Sequence, residues 1–313
     1  MSITPTISRR AFVGSTVATT VIGTTGHATA PMLGASQLLH SRFVMGDFEV
    51  TTLAAGSGVR DEPQGTFAMN VEPAEFAAVN EENFLSSEKF ALGFAPTIVN
   101  TGAELVLFDT GLGGDTGPSI LPALEDAGYT PDQIDVVVIT HMHPDHIGGM
   151  MNGGAPTFPN ARYVTGQIEY DFWSGMDAGN RVGDMVKANV TPMAEKMSFV
   201  APGDAPVSGI TAVEQFGHTP GHMGYMIESG GQSVYIAADL ANHYVWSLAY
   251  PDWEVRFDAD KAGAAAARRK ILGMLAADKT AIIGYHLPFP GVGFVSVRGD
   301  GFEYTPASYQ FAL

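Results

Sequence analysis

The stretch that most constrains this chain is Thr140-His141-Met142-His143-Pro144-Asp145-His146, directly after the apolar run Val136-Val137-Val138-Ile139. Four side chains able to bind a hard or borderline metal fall within six residues, and three of the chain's nine histidines are among them. A short unbroken run of β-branched residues reads as a buried strand. The cluster therefore sits at the strand's C-terminal tip, where α/β layers gather their sites. Imidazole nitrogens and a carboxylate oxygen suit Zn²⁺, and a chain with no cysteine has no thiolate-rich alternative.

The N-terminus reads as an address rather than as fold. Ser8-Arg9-Arg10-Ala11-Phe12-Val13 is a twin-arginine pattern, a weakly apolar stretch runs to about Gly26, and Ala28-Thr29-Ala30 offers a small-residue cleavage site. The stretch is too short and too rich in Thr and Gly for a membrane span. The expectation is a Tat-type signal peptide over residues 1–30, one domain over 31–313, and a periplasmic or secreted product. Losing Arg9 and Arg10 takes Lys+Arg from 16 to 14 against 33 Asp+Glu, a net charge of −19. Such a field repels phosphate backbones and anionic lipid, so neither nucleic acid nor a membrane is an expected partner. A small molecule, neutral or cationic, is. Without cysteine there is neither a disulfide nor thiol chemistry.

Along the chain, Phe43–Leu53 reads as two strands about a Gly46-Asp47 turn. Residues 56–93 show no clear period and read as an irregular lid or binding loop. Pro96–Asn100 and Glu104–Asp109 form a hairpin ending in Asp109-Thr110-Gly111, and Ser119–Ala127 a short helix. Thr130-Pro131 is an N-cap with proline at the first helical position. Then come the strand Asp135–Thr140, a short strand at Tyr163-Val164, a helix Gln167–Trp173 and a mixed helical region over 174–197. Strands follow at Ile210–Phe216, Tyr225–Ser229 and Ser233–Ala238. The alanine-rich helix Asp258–Ala277 has acids at its start and Arg268, Arg269 and Lys270 placed to complement its dipole. A buried strand Thr280–Tyr285 and a hairpin about Gly299-Asp300-Gly301 close the chain. Interleaved strands and helices fit an α/β fold with helices covering two packed sheets.

Three more strands end in candidate ligands: Gly217-His218-Thr219-Pro220-Gly221-His222 after one, Asp239 after the next, His286 after the last. This ordered set resembles the metallo-β-lactamase-fold hydrolases over nearly the whole chain after the leader. The resemblance implies an αβ/βα sandwich of two mixed sheets with helices on the outer faces. It implies two divalent metal ions, zinc above all: one on His141, His143 and His218, the other on Asp145, His146 and His286, with Asp239 bridging. Asp109 is similar to the family's acid that orients the ligand loop. Asp145 and Asp239 are then the candidate catalytic carboxylates, and a homodimer is the implied assembly. His222 reads as a structural histidine, His243 as pocket-facing or solvent-facing, His40 as having no evident partner.

Within the family, a bridging acid at Asp239 argues against β-lactamase activity, and the intact second ligand set against the single-iron dioxygenases. Tyr250-Pro251-Asp252-Trp253 through Lys261, and Gly284-Tyr285-His286-Leu287-Pro288-Phe289-Pro290-Gly291, resemble methyl parathion hydrolase and its lactonase-like relatives. By that likeness Trp173 and Phe94 are candidate pocket walls. One departure stands out: the relatives' tyrosine three residues after the bridging acid is replaced by Asn242. The implied function is hydrolysis of small neutral esters or lactones, or of phosphotriesters, by a metal-bridging hydroxide. A glyoxalase II-like thioester hydrolase and an iron-dependent redox enzyme remain as alternatives.

Overall fold

Strands that are apolar on both faces need cover on both sides. The chain supplies it with two sheets packed face to face and helices outside them. The computed structural model describes residues 32, 34, 36–114 and 117–309, so the expected leader lies outside the described residues. The chain divides into Met1–Gln37, almost wholly undescribed, and one compact unit, Leu38–Leu313.

In chain order the elements are β1 (His40–Met45), β2 (Phe48–Leu53), β3 (Ser57–Asp61), α1 (Gln64–Phe67), α2 (Pro73–Glu82) and β4 (Lys89–Gly93). β5 (Thr97–Asn100), β6 (Leu105–Phe108), α3 (Leu121–Asp126) and β7 (Val136–Ile139) follow. Next are α4 (Pro144–Ile147), β8 (Met151–Asn152), β9 (Ala155–Pro156), β10 (Arg162–Gly166), α5 (Gln167–Ser174), α6 (Arg181–Asn189) and β11 (Met197–Val200). The second half holds β12 (Ile210–Glu214), β13 (Met223–Ser229), β14 (Gln232–Ala238), α7 (Lys261–Asp278), β15 (Ala281–Gly284), β16 (Val292–Arg298) and β17 (Gly301–Pro306).

One sheet has the order β1-β2-β5-β6-β7-β10-β11, the other β12-β13-β14-β15-β16-β17. β6, β7, β10 and β11 run parallel, as do β14 and β15, and the remaining neighbours are antiparallel. The period of two decides which residue goes where. Val136 and Val138 of β7 join Ile227, Val234 and Ile283 in the cluster between the sheets, while Val137 and Ile139 face out toward α3 and α6. All four are fully buried, each worth about 1.5–3 kcal/mol. Ile282 and Tyr235 face the other way, against Ile271, Leu272 and Leu275 of α7.

Two sequence expectations change. Residues 56–93 are not an irregular lid: β3 pairs with β4 as a small hairpin, and α1 and α2 lie between them. Phe67, Phe76 and Phe90 pack there against Trp246 and Trp253 in a cluster of their own. Arg268 does not sit toward the end of α7 to complement its dipole. It lies mid-helix in the buried stripe Ala264, Arg268, Ile271, Leu272, Leu275, only 1% exposed. Among the described residues, no helix is long and apolar enough to cross a membrane.

Candidate metal centre

β12 is antiparallel to β13, and β13 to β14, so β12, β14 and β15 all point the same way. Their C-terminal ends carry His218, Asp239 and His286 to one edge of the sandwich. The His141–His146 loop, leaving β7, arrives at the same edge, where Met223 N donates to Thr140 O (3.1 Å). The ligand atoms of His141, His143, His218 and Asp239 lie within 4.8 Å of one another, and so do those of Asp145, His146 and His286.

Asp239 faces both groups. Its Oδ1 is 3.1 Å from His146 Nε2, and its Oδ2 is 3.3 Å from His218 Nε2 and 3.2 Å from His286 Nε2. Asn242 Nδ2 donates to Oδ2 at 2.8 Å. The approach to Asp239 is strained: Ala238 has φ +44°, a left-handed value costly for a residue with a Cβ.

The far side of each ring fixes which nitrogen is free. His146 Nδ1 donates to Asp109 Oδ2 (2.8 Å), His218 Nδ1 to Asp258 Oδ1 (2.8 Å) and His286 Nδ1 to Gly93 O (2.8 Å). Each Nε2 is therefore the nitrogen left to face the Asp239 carboxylate, carrying a proton without cations and its lone pair once a cation takes that proton's place. Asp109 also accepts from Thr140 N (2.9 Å) and Thr140 Oγ1 (2.8 Å), which binds the end of β7 to the ligand loop. It does so from a left-handed backbone, φ +61°.

The donor set fits divalent cations. His146 Nε2 and Asp239 Oδ1 are buried without any hydrogen bond, two electron-pair donors facing each other. Buried polar atoms are rarely left so, and a cation or a proton is what reconciles them. His143 Nδ1 likewise lies 3.1 Å from His141 Nε2 and 2.9 Å from His218 Nε2, three ring nitrogens converging beside Asp239 Oδ2, which is 3.3 Å from His218 Nε2 and 3.9 Å from His141 Nε2. Burial, reinforced by His218, pushes the His143 imidazole down to about 3, so that ring stays neutral. For His218 and His286 burial acts downward too, but the carboxylates around them outweigh it. Without cations these rings are held at about 9 and about 10.

The remaining expected residues lie around this centre. Phe94 sets its ring edge-on to His286 at 5.7 Å, and Trp173 meets His143 at 5.9 Å. Each thus stands beside one donor group. His243 accepts from Val245 N (3.1 Å) and Trp246 N (3.2 Å) through Nδ1 and stacks on Trp246 at 3.9 Å. His222 is buried against His141 and meets Gln215 Nε2 at 2.9 Å. His40 has a partner after all, Asp126 Oδ2 at 2.8 Å. Sequence reasoning missed Glu169, Asp258 and Arg268. Asp258 Oδ2 accepts from Arg268 Nη1 at 2.9 Å, beneath His218. The one available signal was an arginine on the apolar stripe of a helix.

The profile of the metallo-beta-lactamase superfamily matches residues 96–278, more than half of the chain. The chain belongs to this superfamily. Among solved structures it is similar to AidC, a dizinc quorum-quenching lactonase in complex with a product, N-hexanoyl-L-homoserine. That likeness has a TM-score of 0.80 and 29% identity over 87% of this chain and 99% of the other. It shares its fold with the hydrolase AbOPH (TM-score 0.79, 23% identity, 88% and 99% covered). An N-acyl homoserine lactonase from Bacillus sp is 29% identical over 111 residues, 35% of this chain; the match spans 39% of that relative's length.

Proposed function

We propose that this chain is a binuclear, zinc-dependent hydrolase of small neutral lactones or esters, within the lactonase and methyl parathion hydrolase-like group. The observation that carries the reading is the Asp239 carboxylate, with one oxygen toward His146 and the other toward His218 and His286. The likeness to a dizinc lactonase at 29% identity supports it. His141, His143 and His218 would hold one cation, Asp145, His146 and His286 the other, and Asp239 both.

Two bound cations supply a water whose pKa falls from about 15.7 toward about 7 and polarise the electrophilic oxygen. The chain's own residues do the rest. Asp145, its side chain 20% exposed against 4% for Asp239, is the more open of these two carboxylates. Its carboxylate takes the proton of the attacking water and returns it to the leaving alkoxide as the acyl C–O bond breaks. Trp173 and Phe94 give the acyl group apolar walls beside each donor group. The acidic surface disfavours anionic substrates such as glutathione thioesters. The Ser8–Val13 twin-arginine pattern favours action outside the cytoplasm.

The test is a substrate panel on the zinc-loaded protein: acyl-homoserine lactones, aryl esters, paraoxon-type triesters and a glutathione thioester. The reading expects kcat/KM for a lactone or aryl ester at least about tenfold above the thioester, a difference of about 1.4 kcal/mol in transition-state binding. Thioester turnover alone would transfer the chain to the glyoxalase II-like class. Iron in place of zinc, seen by bound-metal spectroscopy with no hydrolysis, would favour the redox alternative.

A further inference from the structure

Glu169 of α5 is fully buried, and its carboxylate collects four hydrogen bonds. Oε1 accepts from Met142 N (2.8 Å) and Trp173 Nε1 (2.7 Å), and Oε2 from Thr219 Oγ1 (2.7 Å) and Gly221 N (3.0 Å). A buried carboxylate is costly unless donors of this kind surround it, so the position is specified by its partners. Met142 separates His141 from His143, and Thr219 and Gly221 follow His218. One side chain thus ties together the two loops that carry the His141, His143 and His218 group. It makes no hydrogen bond to Asp145, His146 or His286. His146 is held from behind by Asp109 and His286 by Gly93 O. The approach of the second loop is close enough to require glycine: a Cβ on Gly221 would lie 2.3 Å from Glu169 N.

We propose that Glu169 is a positioning residue that fixes the spacing of His141 and His143 against His218, setting the affinity of that one metal site and anchoring the Trp173 wall beside it. The proposal rests on the binuclear reading. Glutamine at this position keeps the shape but offers an NH₂ where donors already point, so two of the four bonds are lost. Thr219→Val removes one donor and leaves the carboxylate in place.

The experiment is Zn²⁺ titration against a chromophoric chelator, resolving the two equivalents, for wild type, Glu169→Gln and Thr219→Val. The expected result is that Glu169→Gln weakens one equivalent by about 10–100-fold and leaves the other within about threefold. Thr219→Val weakens the same equivalent by less. Two unchanged equivalents in Glu169→Gln, or equal weakening of both in either variant, overturns the proposal, because a role in folding alone would not select one site. If Glu169→Gln does not fold, Thr219→Val decides by the same criterion. A wild-type chain that binds fewer than two equivalents defeats the binuclear reading and this proposal with it, whereas two wild-type equivalents with unchanged variants defeat this proposal alone.

Discussion

Replacing Arg268 by methionine tests the buried support beneath His218. Arg268 and Asp258 are 1% and 3% exposed, and the guanidinium reaches Asp258 Oδ2 at 2.9 Å, Pro251 O at 2.8 Å and Trp253 O at 3.5 Å. Methionine fills much of the stem's volume but leaves the carboxylate with His218 alone, and removing one partner of a buried pair costs about 3–5 kcal/mol. At about 2 °C per kcal/mol for a unit of this size, the melting temperature should fall by about 6–10 °C. The double variant Asp258→Asn/Arg268→Met removes the buried charge that has lost its arginine and keeps an oxygen for His218 Nδ1. It should therefore be more stable than Arg268→Met alone. The pH dependence has a definite sign. Burial raises the Asp258 carboxyl, but His218 and Arg268 outweigh it and the net shift is downward. The pair's contribution is then complete above the unfolded value of about 4 and is lost as pH falls through the depressed folded value. Calorimetric scans of the three proteins read all of this. A single variant within about 2 °C of wild type, or a double variant less stable than the single one, would refute the reasoning.

Asp109→Asn should cost about 10–100-fold in metal affinity, seen by equilibrium dialysis, since an NH₂ group replaces one of the two oxygens that accept from Thr140 N, Thr140 Oγ1 and His146 Nδ1. Asparagine tolerates the left-handed backbone there, so unchanged affinity would mean that the carboxylate does not orient the loop. Zinc binding should also release protons. Burial lowers His218 and His286, but neighbouring carboxylates hold them at about 9 and about 10 without cations, so both are protonated at neutral pH. Apparent affinity must then rise with pH from about 6 to about 8. Calorimetry in buffers of different ionisation enthalpy measures the release, and zero protons would contradict the assignment.

Placement of β5, β6, β7, β10, β12, β13, β14 and β15 was legible because they are apolar runs broken by turn residues, several with ligands at their ends, whereas β11, half exposed at Met197–Val200, and the two-residue β8 and β9 were not. The 56–93 segment was not, for two physical reasons. β3 is mostly exposed, so it has no alternation to read, and α2 buries only Phe76, Val79 and Asn80, too few for a helical stripe. The seven candidate ligands and Asp109 were legible as types and spacings, yet their supports were not. Glu169 meets loops 27 and 52 positions away, and Asp258 meets a ring 40 positions away. A lone acid on a helix looks like a solvated charge until the fold brings its donors. Asn242 was visible as a departure, whereas its hydrogen bond to Asp239 needed coordinates.

The central claim is that Asp239 joins two metal sites, and metal content measures it most directly. Mass-spectrometric metal analysis of the zinc-loaded chain should give two ions per chain for wild type and at most one for Asp239→Ala, with hydrolysis lost. One ion per chain in the wild type, or two retained by an active Asp239→Ala, would contradict it.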